Sequence, residues 1–109
     1  MSKIIYVDID DTICKRDCKN LDYNKAYPIR DRIDKINKLY DNGNRIVYWS
    51  ARGTVTGKDW LGVTLSQLQV WGCKFHQLKL GKPYYDLFID DKNINSEIYF
   101  SKINEKISK

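Results

Sequence analysis

The sequence lacks any long apolar run. The longest, Ile4 to Val7, is far too short to span a bilayer, so no membrane partner is expected. Met1-Ser2-Lys3 runs straight into strand-like residues and has no signal-peptide anatomy; a soluble cytoplasmic protein is expected. Cysteine is scarce and odd in number. Three residues, Cys14, Cys18 and Cys73, make no paired disulfide framework. Cys14 and Cys18 are spaced C-x3-C with no second pair, a poor metal signature, so free thiols in a reducing compartment are expected. There is one histidine, His76; it falls mid-strand, far from the acidic motifs, and reads as structural.

What is present is the balance of a small globular domain. The chain has 109 residues, of which 42% are hydrophobic and 30% charged, which excludes disorder and collagen-like structure. A single domain over residues 1–109 is expected, with no room for a separate substrate-binding domain. The net charge of +5 favours an anionic partner: a phosphorylated metabolite, nucleic acid or an acidic surface.

Along the chain, residues 3–8 form a β-branched apolar run ending in an acid, as in a buried parallel strand. Residues 13–28 are polar and read as a long loop or hairpin, a flap-like feature in so small a domain. Ile29, Ile33, Ile36 and Tyr40 recur at helical spacing until Asn42-Gly43. Residues 45–49 give a second strand ending at Ser50. Asp59 caps a helix whose apolar line is Leu61, Leu65 and Leu68. Residues 73–80 read as a third strand and 86–89 as a fourth, with the turn Gly81-Lys82-Pro83 between them. The tail from Ser96 to Lys109 reads as an amphipathic helix. The pattern is α/β with a mainly parallel sheet, whose ligand site lies beyond the C-terminal strand ends.

Those ends carry the chemistry. Asp8 and Asp10 follow the first strand and share a side while the chain stays extended. Two close carboxylates repel unless a cation lies between them, and oxygen ligands at this density favour Mg2+. Ser50 ends the second strand as a neutral donor, and Arg52 follows as a candidate oxyanion clamp. Lys82 supplies a fixed positive charge, in competition with Lys79. Asp90 and Asp91 end the fourth strand and add metal-ligand oxygens. A metal, a cation and two carboxylates suit phosphoryl transfer: one carboxylate attacks phosphorus, the other moves protons. Tyr23, Tyr27, Tyr84 and Tyr85 either line the pocket or cover a small core.

The order Asp8-Ile9-Asp10-Asp11-Thr12, then Ser50, then Lys82, then Asp90-Asp91, each after an apolar strand, resembles the four motifs of the haloacid dehalogenase superfamily. Gly81-Lys82-Pro83-Tyr84-Tyr85-Asp86 resembles small capless members associated with surface-polysaccharide biosynthesis. The resemblance implies a three-layer Rossmann-like core without a cap domain. It implies Asp8 as nucleophile through an aspartyl-phosphate and Asp10 as general acid/base. Ser50 and Lys82 would contact or neutralise the phosphoryl group, and Thr12, Ala51 and Arg52 would bind substrate. Mg2+ would be held by Asp8, by the Asp10 backbone carbonyl, and by Asp90 or Asp91 or both, directly or through water. The implied activity is phosphomonoester hydrolysis of a small metabolite, such as a sugar phosphate or surface-glycan precursor. A capless site further implies closure by the flap or by a second copy in a homo-oligomer. Asp-x-Asp-x-Thr, Ser50-Ala51-Arg52 and Ile89-Asp90-Asp91 are also similar to the phosphatase half of polynucleotide kinase–phosphatases, so a polynucleotide 3'-phosphatase is the alternative. A receiver-type signalling module is excluded by order, since its acceptor aspartate follows a middle strand and here the second strand ends in Ser50.

Overall fold

The computed structural model describes residues 2–17 and 22–101. Its architecture is mixed α/β. Strands β1 (Ile4–Val7), β4 (Arg45–Trp49) and β5 (Gln77–Lys79) form a parallel sheet in the order β1-β4-β5. A second, antiparallel pair, β2 (Cys14–Lys15) and β3 (Tyr27–Pro28), brackets the flap and aligns Cys14 with Pro28 and Lys15 with Tyr27. Between them Tyr23–Lys25 make one 3-10 turn, capped by the Asp22 carboxylate accepting from the Asn24 amide. Cys18 and the rest of 18–21 lie outside the described residues, as does the expected tail helix beyond residue 101.

The sheet follows the side-chain pattern. β4 is central, and Ile46, Val47 and Tyr48 are buried in succession, as a strand covered on both faces demands. β1 and β5 are the two outer strands. Helix α1 (Arg30–Asp41) packs on β4 through Ile33 and Ile36 and stops at Asn42, beyond which Gly43 takes a φ of +94°. Helix α2 (Leu61–Val70) contributes Leu68, and Trp71 follows it into the core. The residues 96–101 are helical and bring Phe100 to the same cluster. Asn95 opens that helix by accepting from the Glu97 amide. Arg32, from α1, ties it down by pairing with Glu97 at 2.7 Å.

Three expectations need correcting. The third strand covers only Gln77–Lys79, with His76 beside it. The His76 Nδ1 accepts from the Ile46 amide and its ring stacks on Tyr40, the structural role expected of it. The apolar line of α2 is rotated: Thr64 and Leu68 are buried while Leu61 and Leu65 are exposed. The inward turn at Thr64 serves a buried arginine described below.

The largest correction concerns residues 86–89, which form no strand. Leu87 and Ile89 are 75% and 87% exposed, and the segment lies across an open depression of about 1680 Å3 from the unpaired edge of β1. Pairing it there would bring Asp90 and Asp91 beside Asp8 and Asp10. Two further carboxylates there would outnumber the two cations, Lys82 and Arg52, that already face Asp8 and Asp10.

The core and this segment therefore differ in what truncation costs. Ile36→Ala should lower unfolding stability by about 2–5 kcal/mol, and Leu87→Ala or Ile89→Ala by less than about 0.5 kcal/mol. Urea denaturation checks both. An equal loss at Leu87 would show the segment packed as a strand.

Candidate functional site

The C-terminal ends of the parallel strands gather the polar residues, as the architecture requires. Asp8 follows β1 directly. Its Oδ2 accepts from Thr12 Oγ1 at 3.1 Å and its Oδ1 from Lys82 Nζ at 3.3 Å. Thr12 comes into range because the chain turns after Ile9, whose carbonyl accepts from the amides of Thr12 and Ile13, with Asp11 at a φ of +62°. The Asp11 amide is taken by the Cys14 carbonyl, which closes the loop onto β2.

Lys82 arrives by a separate route. The Ser50 amide donates to the Lys79 carbonyl and the Lys82 amide to the Ser50 carbonyl, so the chain after β5 is stitched along the end of β4. Thr54 Oγ1 donates to the Lys82 carbonyl as well. The Lys82 side chain, 14% exposed, passes Trp49 and Tyr85 to reach Asp8. Lys79 points elsewhere, to the Tyr6 hydroxyl, which settles which lysine meets the aspartate.

Burial pushes the Asp8 carboxyl up from its ordinary value. The Lys82 charge and the hydrogen bonds from Lys82, Thr12 and the Ile9 amide oppose that rise without cancelling it. A partly buried acid held against a lysine is a strained but useful arrangement, typical of reactive groups.

Asp10 has a different environment. Both its oxygens accept from Arg52, Oδ2 from Nε at 3.0 Å and Oδ1 from Nη2 at 2.9 Å. This fork is bidentate, the geometry in which guanidinium and carboxylate bind best. Arg52 is 2% exposed. It also donates to Thr64 Oγ1 at 3.1 Å and Gln67 Oε1 at 2.6 Å, and its guanidinium lies 4.7 Å from the centre of the Tyr23 ring. Gln67 in turn donates to the Tyr23 carbonyl at 2.7 Å. The expected role of Arg52 as a substrate clamp is thus corrected: all the directions of its fork are spent inside the protein.

The other expected residues are distributed unevenly. Ser50 is buried, and its Oγ accepts from the Arg52 amide at 3.0 Å, shaping the turn after β4. Ala51 faces a second, smaller depression beside Tyr23, Trp60 and Tyr84. Tyr85 lines the wide depression near Asp8, whereas Tyr27 is exposed and lines neither. Asp90 lines the wide depression, as Asp8 does, and Asp91 does not. Among the described residues no three acidic, histidine or cysteine side chains gather closely enough to hold a metal ion. The residues do not fit a magnesium site in this form. An ion shared by Asp8 and the acidic pair requires segment 86–91 to move toward β1.

Sequence reasoning missed Thr64, Gln67, Cys14 and Arg32 as parts of this region. Cys14 Sγ lies 3.5 Å from Asp10 Oδ1, and Arg32 Nη1 donates to the Thr12 carbonyl at 3.1 Å. A polar Thr64-x-x-Gln67 pair at helical spacing, facing an arginine, was the only signal available for the first two.

No protein-family model matches the sequence, and no curated protein matches it. A solved structure of a structural-genomics target from Vibrio cholerae is similar in fold, with a TM-score of 0.78 and 22% identity over the full length of both chains.

Two outcomes follow from the site's electrostatics. A carboxyl raised by burial stabilises the fold below its ordinary value, near pH 4, and that contribution is lost as pH rises through the raised value. Asp8→Asn should therefore raise the melting temperature at pH 7 by a few degrees, with the gain vanishing below about pH 4. A lower melting temperature at pH 7 would mean the Lys82 contact outweighs burial. Burial also pushes the Cys14 thiol up to about 12, helped by Asp10, and the Cys73 thiol up to about 11. Iodoacetamide at pH 8 should leave both unmodified in the native protein by peptide mass mapping, with Cys73 reacting first as pH climbs toward 11.

Proposed function

We propose that the chain is a phosphomonoester hydrolase of the haloacid dehalogenase type, with a three-layer Rossmann-like core, acting through an aspartyl-phosphate on a small phosphorylated metabolite. The observation that carries this reading is Asp8 at the end of β1, with Lys82 Nζ at 3.3 Å from one oxygen and Thr12 Oγ1 at 3.1 Å from the other. A carboxylate nucleophile and a phosphate dianion repel, and a fixed ammonium beside the nucleophile lowers that repulsion. Thr12 fixes the rotation of the carboxylate, so the Lys82-side oxygen is presented toward the depression both residues line.

In the first step an Asp8 oxygen bonds to phosphorus and the bond to the ester oxygen breaks. The departing oxygen takes a proton from Asp10. In the second, water attacks the same phosphorus, gives its proton to Asp10 and releases Asp8 and inorganic phosphate. To act as the acid, Asp10 first takes a proton from water and gives up one of its two bonds to Arg52, which holds the plane of the carboxyl through the other; the proton from the attacking water restores it for the next cycle. Ser50 and Ala51 shape the turn that borders the phosphoryl end. Magnesium dependence comes from the resemblance alone, since the described residues assemble no magnesium site, and no step is assigned to it.

The breadth of the depression beside Asp8, together with the net charge of +5, favours polynucleotide 3'-phosphatase activity as the second reading. With no cap, closure of the site falls to the flap or to a second copy of the chain. No helix among the described residues is long and apolar enough to cross a membrane.

A phosphate-release screen over sugar phosphates, nucleotides and 3'-phosphorylated oligonucleotides, with Mg2+ and with EDTA, tests the reading. Turnover on a metabolite is expected. Asp8→Asn should abolish it and Asp10→Asn should reduce it by about 10²–10⁴-fold. Full activity in Asp8→Asn overturns the nucleophile assignment, and turnover confined to oligonucleotides selects the second reading.

A further inference from the structure

The second depression, about 390 Å3, is unused by the chemistry above. Its size falls within the range of small-ligand sites, which begins at roughly 300 Å3. Three aromatic side chains line it: Tyr23 from the flap, Trp60 at the head of α2 and Tyr84 from the segment after Lys82.

This depression is built rather than incidental. Tyr23 is held on several sides. Its ring meets Trp60 edge-to-face at 4.9 Å, with the guanidinium of Arg16 4.4 Å from its centre and that of Arg52 4.7 Å away. Its carbonyl is fixed by Gln67. Trp60 is brought in by a tight return of the chain at Gly53, which has a φ of +81°. A Cβ there would fall 2.1 Å from the Lys58 carbonyl oxygen and 3.2 Å from the Trp60 ring, so only glycine permits the fold-back. Lys58 then extends over Trp60, with Nζ 4.8 Å from the ring centre.

Its position relative to Asp8 follows from the chain. Ala51, which lines it, is the residue after Ser50, and Tyr84 is two residues beyond Lys82. The Lys82–Ser50 and Thr54–Lys82 bonds join these two segments side by side. The same short stretch thus sends one side chain to the nucleophile and another to the aromatic depression. The two depressions share no lining residue but meet at the consecutive Tyr84 and Tyr85, so an ester with its phosphoryl group at Asp8 and Lys82 reaches the aromatic depression by running across this stretch.

We propose that the depression of Tyr23, Trp60 and Tyr84 is the leaving-group subsite, with Tyr23 as its fixed wall, and that it selects phosphomonoesters whose alcohol carries a ring with an apolar face to pack on Trp60 and Tyr84. This rests on the phosphatase reading and deepens it, naming ring-bearing over open-chain substrates. Aromatic faces offer dispersion and polarisable contact to a flat partner, and stacking of this kind discriminates strongly against a flexible chain.

The test compares kcat/KM for a hexose phosphate, a nucleoside monophosphate and glycerol phosphate in the wild type, Trp60→Ala and Tyr84→Ala. The wild type should prefer at least one ring-bearing ester. Each variant should lower the ratio of ring-bearing to open-chain kcat/KM by about tenfold, chiefly through KM, and Trp60→Phe should restore it. Tyr84 is 71% exposed, so its truncation does not endanger folding. An unchanged ratio in both variants, or no ring preference in the wild type, overturns the proposal. A second arm needs no turnover. The free nucleoside and free hexose are titrated while the Trp60 indole N–H is followed by NMR. A saturable shift with either, absent in Tyr84→Ala, supports the subsite, and no shift with both overturns it. If no ester is hydrolysed by any form, the phosphatase reading fails and the NMR arm alone decides the subsite.

Discussion

The buried fork between Arg52 and Asp10 organises the functional end of the molecule. A guanidinium cannot lose its charge and is costly to remove from water, so everything around it must supply oxygen. Asp10 supplies two acceptors, Thr64 and Gln67 one each, and Tyr23 an aromatic face. Those groups come from the loop after β1, from α2 and from the flap. One side chain therefore fixes three separate pieces of chain against the end of β4. The pair is fully compensated, which is the condition under which a buried charge is tolerated; removing either partner of such a pair typically costs about 3–5 kcal/mol.

Asp8 and Asp10, two residues apart, are consequently held in opposite ways. Asp8 is half-open to the wide depression, raised by burial and faced by a lysine whose flexible stem reaches it from β5. Asp10 is gripped on both oxygens by a planar, preorganised partner. On the proposed reading, these different surroundings would divide the two neighbouring carboxylates between attack and proton transfer.

Much of this was legible in the sequence and some was not, for identifiable reasons. β1, α1 and β4 were readable because a β-branched run and an i, i+3, i+7 spacing each admit one structure, and Asp8 and Ser50 fell at strand ends as read, whereas Lys82, read in a turn before a fourth strand, lies after β5 with no strand at 86–89. Residues 86–89 carry the same apolar signal as β1 yet stay unpaired, since an apolar run says nothing about whether its flanking acids tolerate the neighbours that pairing would give them. Leu61 and Leu65 misled because hydrophobicity alone cannot register a demand for polar acceptors. Thr64 and Gln67 face inward instead, where Arg52 requires them. Arg52 itself looks like a surface clamp in sequence, because nothing in a linear chain reveals that its counter-charge is forty-two positions away.

The bare flank of β1 has an effect beyond the individual molecule. Among the described residues no strand lies beside its amides and carbonyls on that side, and Ile4 and Tyr6 stand exposed there. Such a margin is a template for any extended backbone. Leu87 and Ile89, exposed on the same wide depression, carry the kind of apolar run that such a margin accepts. A net charge of +5 sets copies against one another at low ionic strength, and salt screens that repulsion. Colloidal behaviour and ionic strength are thereby linked through one unfinished sheet edge.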